Sequence, residues 1–297
     1  MHMRLALRPA SWERRWTNVM RAWYRFSRNP LHVVGLIILM LIAFAAALAP
    51  HIAPYPEHAG PYTNFRKAGL PPSWEHFFGT DRVGRDVFTR VIFGYRFSLL
   101  LGIVVLSLSL PPGVLLGLIA GYYHGTWIET VIMRITDIFL AVPPLVLAMA
   151  VAAMLTPNLF NAMLAISLCW WPWYTRLIYG TTLQLRGQYF VRELELTGAS
   201  TLHVLVKEIL PNCLGPLLTK VTLDMGFAIL MGATLSFVGL GAQPPTPDLG
   251  TMVADGAKRL PKEWWSTIFP ALAIVIVILG FNLVGDGLRD VFSEERV

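Results

Sequence analysis

Charge is scarce in this sequence, acidic charge most of all. Of 297 residues, 18 are Asp or Glu and 24 are Lys or Arg, so charged residues make up only 14% of the chain. That is about half the usual share for a soluble domain. Cysteine is rarer still: Cys169 and Cys213 sit in or beside apolar runs, with no metal-like spacing to His or to each other. They read as small packing residues. No GxxxxGK[ST] loop occurs, which excludes a nucleotide site built that way. The seven His and the few acids form no convincing catalytic constellation. No Gly/Ser-rich linker, acidic tail or strong internal repeat divides the chain, so a single membrane domain is the economical reading.

What the chain has is apolar length. Hydrophobic residues are 55% of the total, and a bilayer core of about 30 Å needs about 20 such residues in a helix. Runs at 31–49, 97–123, 138–155, 159–175, 214–240 and 267–285 predict an all-α membrane protein with about six spans. The first follows Asn29-Pro30, a helix cap and a proline at the first helical position. Its "AAALA" ending resembles a cleavage site, but an arm of about thirty residues is long for a signal peptide, so the run reads as a retained anchor. Pro111-Pro112 and Pro143-Pro144 are expected to kink or break their spans.

Arg4, Arg8, Arg14, Arg15, Arg21, Arg25 and Arg28 face only Glu13 in the N-terminal arm. The positive-inside rule places this arm, and by an even span count the C-terminus, in the cytoplasm. The net charge of +6 has the same origin, and nucleic acid is not an expected partner. The expected organisation is an arm at 1–30, a transmembrane domain at 31–290 and a tail at 291–297. Within the domain, outer loops fall at about 51–96 and 242–266, and a cytoplasmic loop at about 183–212.

That cytoplasmic loop contains "ELELTGASTLHVLVKEILPN" (193–212), a polar island between apolar runs. Leu202, Leu205, Val206, Ile209 and Leu210 repeat at helical spacing and predict one apolar face. Gly198 is placed to end the preceding helix in the left-handed region, and Pro211 to break the next. Periodicity alone leaves an interfacial helix and a docking helix equally open.

The spacing from Gly198 to Leu210-Pro211 resembles the EAA loop of ABC importer permeases, although Arg192-Glu193-Leu194 replaces the usual small triplet and Glu208 stands at the Ile position. "FGTDRVGRDVFTRVIFGYRFSLLLG" (78–102), "LSFVGLGAQPPTPDLGTMVADG" (235–256) and "FPALAIVIVILGFNLVGDGLRDVF" (269–292) resemble, in order, segments of the dipeptide, oligopeptide and nickel permeases, closest to their C-type subunit. Leu249, often Trp there, and Ser293-Glu294, often Asp-Pro, depart from the pattern.

The resemblance implies a type I ABC importer permease in a bacterial cytoplasmic membrane, which is a transport subunit and not an enzyme. The implied partners are a second homologous permease, two ATPase subunits, an extracytoplasmic substrate-binding protein and lipid. No cofactor is expected in this chain; ATP and Mg would sit in the ATPases. Peptides are the implied cargo, with nickel complexes, oligosaccharides or another small solute as alternatives. A stand-alone secondary transporter is disfavoured by the shortage of mid-span charge.

On this reading Leu194, Ala199 and Leu202 supply apolar contact to an ATPase, with Glu193, Ser200 and His203 at the rim and Gly198 and Pro211 bounding the helix. Lys220 and Asp224, an i,i+4 couple in span five, form an ion pair or line the pathway. Arg134, Asp137, Asp286 and Arg289 are expected to pair with one another at the cytoplasmic end. Residues 78–96 are expected to form an amphipathic outer helix, with Val83, Val87, Phe88 and Val91 opposite Arg82, Asp86 and Arg90. Glu263-Trp264-Trp265 suggests an aromatic anchor at the outer interface.

Overall fold

The computed structural model describes residues 11–293, and among them there is no β-strand; Thr80 and Asp86 form one isolated antiparallel bridge. Arg4, Arg8 and Glu294 lie outside the described residues. Helix α1 (Ser11–Ser27) leads into α2 (Pro30–Ala47), whose start is capped as expected: the Leu31 N–H donates to Asn29 Oδ1 at 3.0 Å. A short α3 (Ala49–Ile52) and two 3-10 turns (Pro56–Ala59, Phe65–Lys67) precede α4 (Val87–Tyr122). Then come α5 (Trp127–Ala141), α6 (Pro144–Ala153), α7 (Leu159–Arg186) and α8 (Tyr189–Leu196). The described residues close with α9 (Thr201–His203), a π-helical turn (Val204–Ile209), α10 (Leu210–Phe237), α11 (Leu249–Ala257) and α12 (Trp265–Ser293).

Among the described residues, four helical stretches are long and apolar enough to cross a membrane: Pro30–Ala47, Val87–Tyr122, Thr201–Phe237 and Trp265–Phe292. The α5–α6 pair, bent by 87°, makes a fifth if it counts as one span. The expected count of about six therefore also needs α7, which has 28 residues but a more polar sequence.

The two Pro-Pro pairs behave differently. Pro143-Pro144 breaks the chain between α5 and α6, with Pro143 extended (ψ 127°) and Pro144 opening α6. Helix α4 instead runs on through Pro111-Pro112 without a break. Just before the prolines, Ser109 Oγ donates to Val105 O at 2.7 Å or to Ser167 O of α7 at 3.1 Å, tying this stretch of α4 to its neighbour.

The centre of the bundle is the parallel α4–α7 pair. Gly113, Gly117 and Gly121, spaced by four, form a strip on α4 that lies directly on α7. A Cβ added at each would fall within 2.7 Å of the Cβ atoms of Tyr174, Ile178 and Thr182 respectively. This is small-residue packing, which lets backbones approach where lipid gives helices no hydrophobic reason to associate. Helix α10 packs on α4, α7 and α12, and α2 on α12.

Contacts sort the loops to two ends. At one end the Phe26 ring of α1 meets that of His32 at a tilt (centroids 5.6 Å apart), Arg25 Nη1 donates to Val291 O (3.4 Å), and Phe292 lies against Gly215. The exit of α1, the exit of α12 and the entry of α10 thus share an end. At the other end lie residues 53–86, α11 and the start of α12.

The expected amphipathic helix at 78–96 is absent as such. Gly84 takes φ +84°, and Asp86 caps α4 by accepting the Thr89 N–H at 2.7 Å, so the helix starts only at Val87 and continues into the span. The polar residues of this segment find remote partners: Arg82 pairs with Asp255 (3.4 Å) and Asp86 with His76 (2.9 Å).

Candidate functional site

The polar island folds as two short helices around Gly198. There φ is +85°, and the N–H groups of Gly198 and Ala199 donate to Glu195 O (3.1 Å) and Leu194 O (3.0 Å). This is a Schellman closure, with Leu194 and Ala199, the usual apolar pair of that motif, both packed toward the core. Ser200 then caps α9, its Oγ accepting the His203 N–H at 3.3 Å. His203 Nε2 lies 3.7 Å from Glu208, and Glu193 is exposed.

Two sequence expectations change here. The buried side is Val204, Leu205 and Ile209, followed by Cys213, while Leu202 is 71% exposed and Val206 44%. Pro211 does not break the helix either; Thr201–Phe237 is continuous. The π turn before it explains both. Its wider loop gives the proline ring room, Asn212 Nδ2 donates to Glu208 O (2.6 Å), and the extra residue per turn shifts which side chains face inward. Outward from the loop point Leu196, 88% exposed, and Leu202. Of the three residues expected to supply apolar contact, Leu194 and Ala199 turn inward and only Leu202 stays available; Leu196 was missed.

Above the loop, Lys220 Nζ donates to Asp224 Oδ1 at 2.6 Å and stands 5.6 Å over the Trp173 ring. Asp224 is fully buried, and the buried Tyr174 hydroxyl lies beside its carboxylate. Arg134, Asp137, Asp286 and Arg289 do not form the expected single cluster. Arg134 and Asp137 lie within α5, and Asp137 pairs with Arg176 of α7. Near the exit of α12 it is Asp290 that approaches a partner, His32, at 3.8 Å.

The opposite end is a dense polar layer. Arg90, buried in the first turn of α4, donates to the carbonyl of His58 (3.1 Å) and to those of Pro245 (3.3 Å) and Thr246 (3.5 Å), tying both outer loops to one side chain. Arg85 pairs with Asp81 at 2.7 Å. His58 Nδ1 accepts the Asp86 N–H at 2.8 Å, and burial lowers its pKa despite the nearby Glu57 and Asp86 carboxylates. Burial likewise raises the Asp248 carboxyl, which caps α11 through the Thr251 N–H (2.9 Å). Of the expected aromatic anchor, Trp264 is exposed, but Trp265 is buried and donates to Thr80 O at 3.2 Å.

A helical membrane bundle with paired polar ends and a polar loop leading into its longest apolar stretch is the frame of a transport permease. The chain belongs to the family described as binding-protein-dependent transport system inner membrane component, which matches residues 113–296. The N-terminal TM domain of oligopeptide transport permease C matches residues 18–72. The chain is 43% identical to the probable D,D-dipeptide transport system permease protein DdpC of Escherichia coli, over 90% of this chain and 88% of that protein. It is 40% identical to the dipeptide transport system permease protein DppC of Haemophilus influenzae (94% and 95% covered) and 42% identical to the di/tripeptide transport system permease protein DppC of Pseudomonas aeruginosa (92% and 91%). The fold resembles a chain of the inward-facing MetNI methionine ABC transporter, with a TM-score of 0.51 and 19% identity over 70% of this chain and 93% of that one. This is therefore a multi-pass inner-membrane transport component.

Proposed function

We propose that this chain is one of two permease subunits of an ATP-driven importer of di- or oligopeptides, with both termini and the loop at 183–212 in the cytoplasm. The pair would take cargo from an extracytoplasmic binding protein and be driven by two ATPase subunits that carry ATP and Mg. The observation that carries the reading is the loop itself. Leu196 and Leu202 stand exposed on either side of the Gly198 turn, at the foot of a helix that continues without interruption to Phe237. Large apolar side chains in this position, rimmed by Glu193, Ser200 and His203, suit a partner groove and not water. The arginines of α1 and the exit of α12 lie at the same end as this loop, which supports the cytoplasmic side. Peptide cargo is supported by the named roles of the relatives.

The test is purification and reconstitution. The tagged chain should bring down a second permease and ATPase subunits, and proteoliposomes containing the complex should accumulate dipeptide only with ATP inside and loaded binding protein outside. Copurification without ATPases, or uptake that persists without ATP, would overturn the assignment.

A further inference from the structure

Helix α7 presents two unlike exposed faces. Phe160, Leu164 and Leu168 form an exposed apolar strip, as a lipid-facing strip should be. Well around the helix from it stand Trp173, 40% exposed, and Arg176 one turn further on. Trp173 lies near the middle of the 28-residue helix, with about 20 Å of helix on either side.

Around it runs a chain of charged groups from three helices. Asp137 of α5 pairs with Arg176 of α7, and Lys220 of α10 reaches over the Trp173 ring to Asp224. Asp224 is beneath the surface (0% exposed), while the Lys220 side chain is 31% exposed and that of Arg176 51%. What faces outward beside the indole is therefore two cations against one exposed carboxylate, Asp137. Charges carried between helices of a membrane bundle do not lie against hydrocarbon; they face a bundle interior or a water-filled cavity.

We infer that the Trp173, Arg176 and Lys220 face lines the water-filled path between the two permeases and gives passing cargo a weak site for a carboxylate. The ammonium and guanidinium would meet the carboxylate oxygens, and the indole would cover the adjoining apolar carbon. Lys220 is already half satisfied by Asp224, so the attraction stays shallow enough for release, as a conducting path requires. The carboxylate would be the C-terminus of the peptide, and in this respect the inference rests on the peptide reading above.

Thiol labelling in the assembled importer tests the face without any cargo. Cys169 and Cys213 are buried, at 4% and 0% exposure, and leave a low background. Trp173→Cys should react with membrane-impermeant methanethiosulfonates. The anionic reagent should be favoured over the cationic one by about fivefold relative to a free thiol, and Lys220→Met should shrink that preference. Gly180→Cys provides a second reporter on the same face, since a side chain there meets no atom within 4 Å. Leu164→Cys should stay unlabelled. Unreactive reporters at both 173 and 180, or no preference between reagents, would overturn the path.

Transport tests the carboxylate. Lys220→Met should cut dipeptide uptake about tenfold while ATP hydrolysis stimulated by loaded binding protein stays within about twofold. The double change Lys220→Met, Asp224→Asn should remain as defective. Uptake restored by the double change would mean that Lys220 only neutralises Asp224, and would overturn the site. If the unaltered importer takes up no peptide, the cargo assignment fails, and the labelling result still reads the face.

Discussion

The sharpest consequence of the loop geometry concerns Leu196 and Leu202. Changing both to Ala should leave the permease intact and loosen its hold on the ATPases. Both side chains are mostly in water, at 88% and 71% exposure, so truncation costs the isolated chain no more than about 0.5 kcal/mol. In a docked complex the account differs. Leu→Ala removes three carbons, about 2.4 kcal/mol if fully buried at about 0.8 kcal/mol per methylene. Scaled by the surface each residue still has to lose, the two changes amount to about 2.1 and 1.7 kcal/mol. A groove covering half of that surface leaves about 2 kcal/mol, or about thirtyfold in affinity. The assay is titration of purified ATPase subunits onto the permease pair in nanodiscs, with ATP-driven uptake alongside. Leu194→Ala is the informative contrast: it loosens the Schellman closure and should lower thermal stability, whereas the double variant should not. Unaltered ATPase affinity and coupled uptake in the Leu196→Ala, Leu202→Ala permease would refute the assignment of this surface.

Further perturbations address the scaffold. Gly117→Val should destabilise the α4–α7 pair by about 1–3 kcal/mol through overpacking, while Gly180→Ala, which meets open space, should be neutral or slightly stabilising; apparent melting in detergent reads both. Arg90→Lys keeps the charge but loses the fork that spans His58, Pro245 and Thr246, and each orphaned carbonyl costs about 1–3 kcal/mol. Faster limited proteolysis within residues 242–248 is the expected sign, and unaltered cleavage would count against that role. His58 must remain neutral to accept the Asp86 N–H, and its pKa lies below the ordinary 6.5. Its contribution to stability is therefore complete above about pH 6.5 and lost as pH falls through the lowered value. Melting followed from pH 8 to 5 should show this decline, and His58→Gln should flatten it.

The spans were legible because their signal is local. Twenty apolar residues announce themselves, and Asn29-Pro30 marks a helix start within two residues. The Gly113, Gly117, Gly121 spacing was equally local and was an available signal for the α4–α7 contact. The polar layers were not legible, because their partners are remote in the chain. Arg90 finds Pro245 across 155 positions, and Asp137 finds Arg176 across 39. Short-range i,i+4 logic supplied plausible local partners instead, and held only for Lys220 with Asp224. In the loop the failure was one of phase. A face projected from Leu202 at regular helical spacing ignores the residue added by the π turn, so it misplaces Leu202 and Val206 while still finding Leu205 and Ile209.

That turn also bears on how a push at the loop would travel. From Thr201 to Phe237 the chain is one helical stretch of 37 residues, about 55 Å, and it carries Lys220 and Asp224 partway along. At its far end Ala233 lies directly against Gly250 of α11, and the Ala242 N–H donates to Ser236 Oγ at 3.3 Å. The loop, the Lys220–Asp224 pair and the outer loop are thus mounted on one rod. A rod can transmit a displacement, but coupling needs an element with two arrangements. The regular part of α10 is poorly suited to that, being packed against α4, α7 and α12. The π turn at Val204–Ile209 is better suited, because returning it to α geometry would rotate Leu202 and Val206 relative to everything above Pro211. Pro211 opposes that return, since its ring needs the wider turn. A Pro211→Ala permease should therefore favour the regular helix and retain ATP hydrolysis with weakened coupling to uptake. Unchanged stoichiometry of ATP to peptide in that variant would assign the turn to accommodating the proline and nothing more.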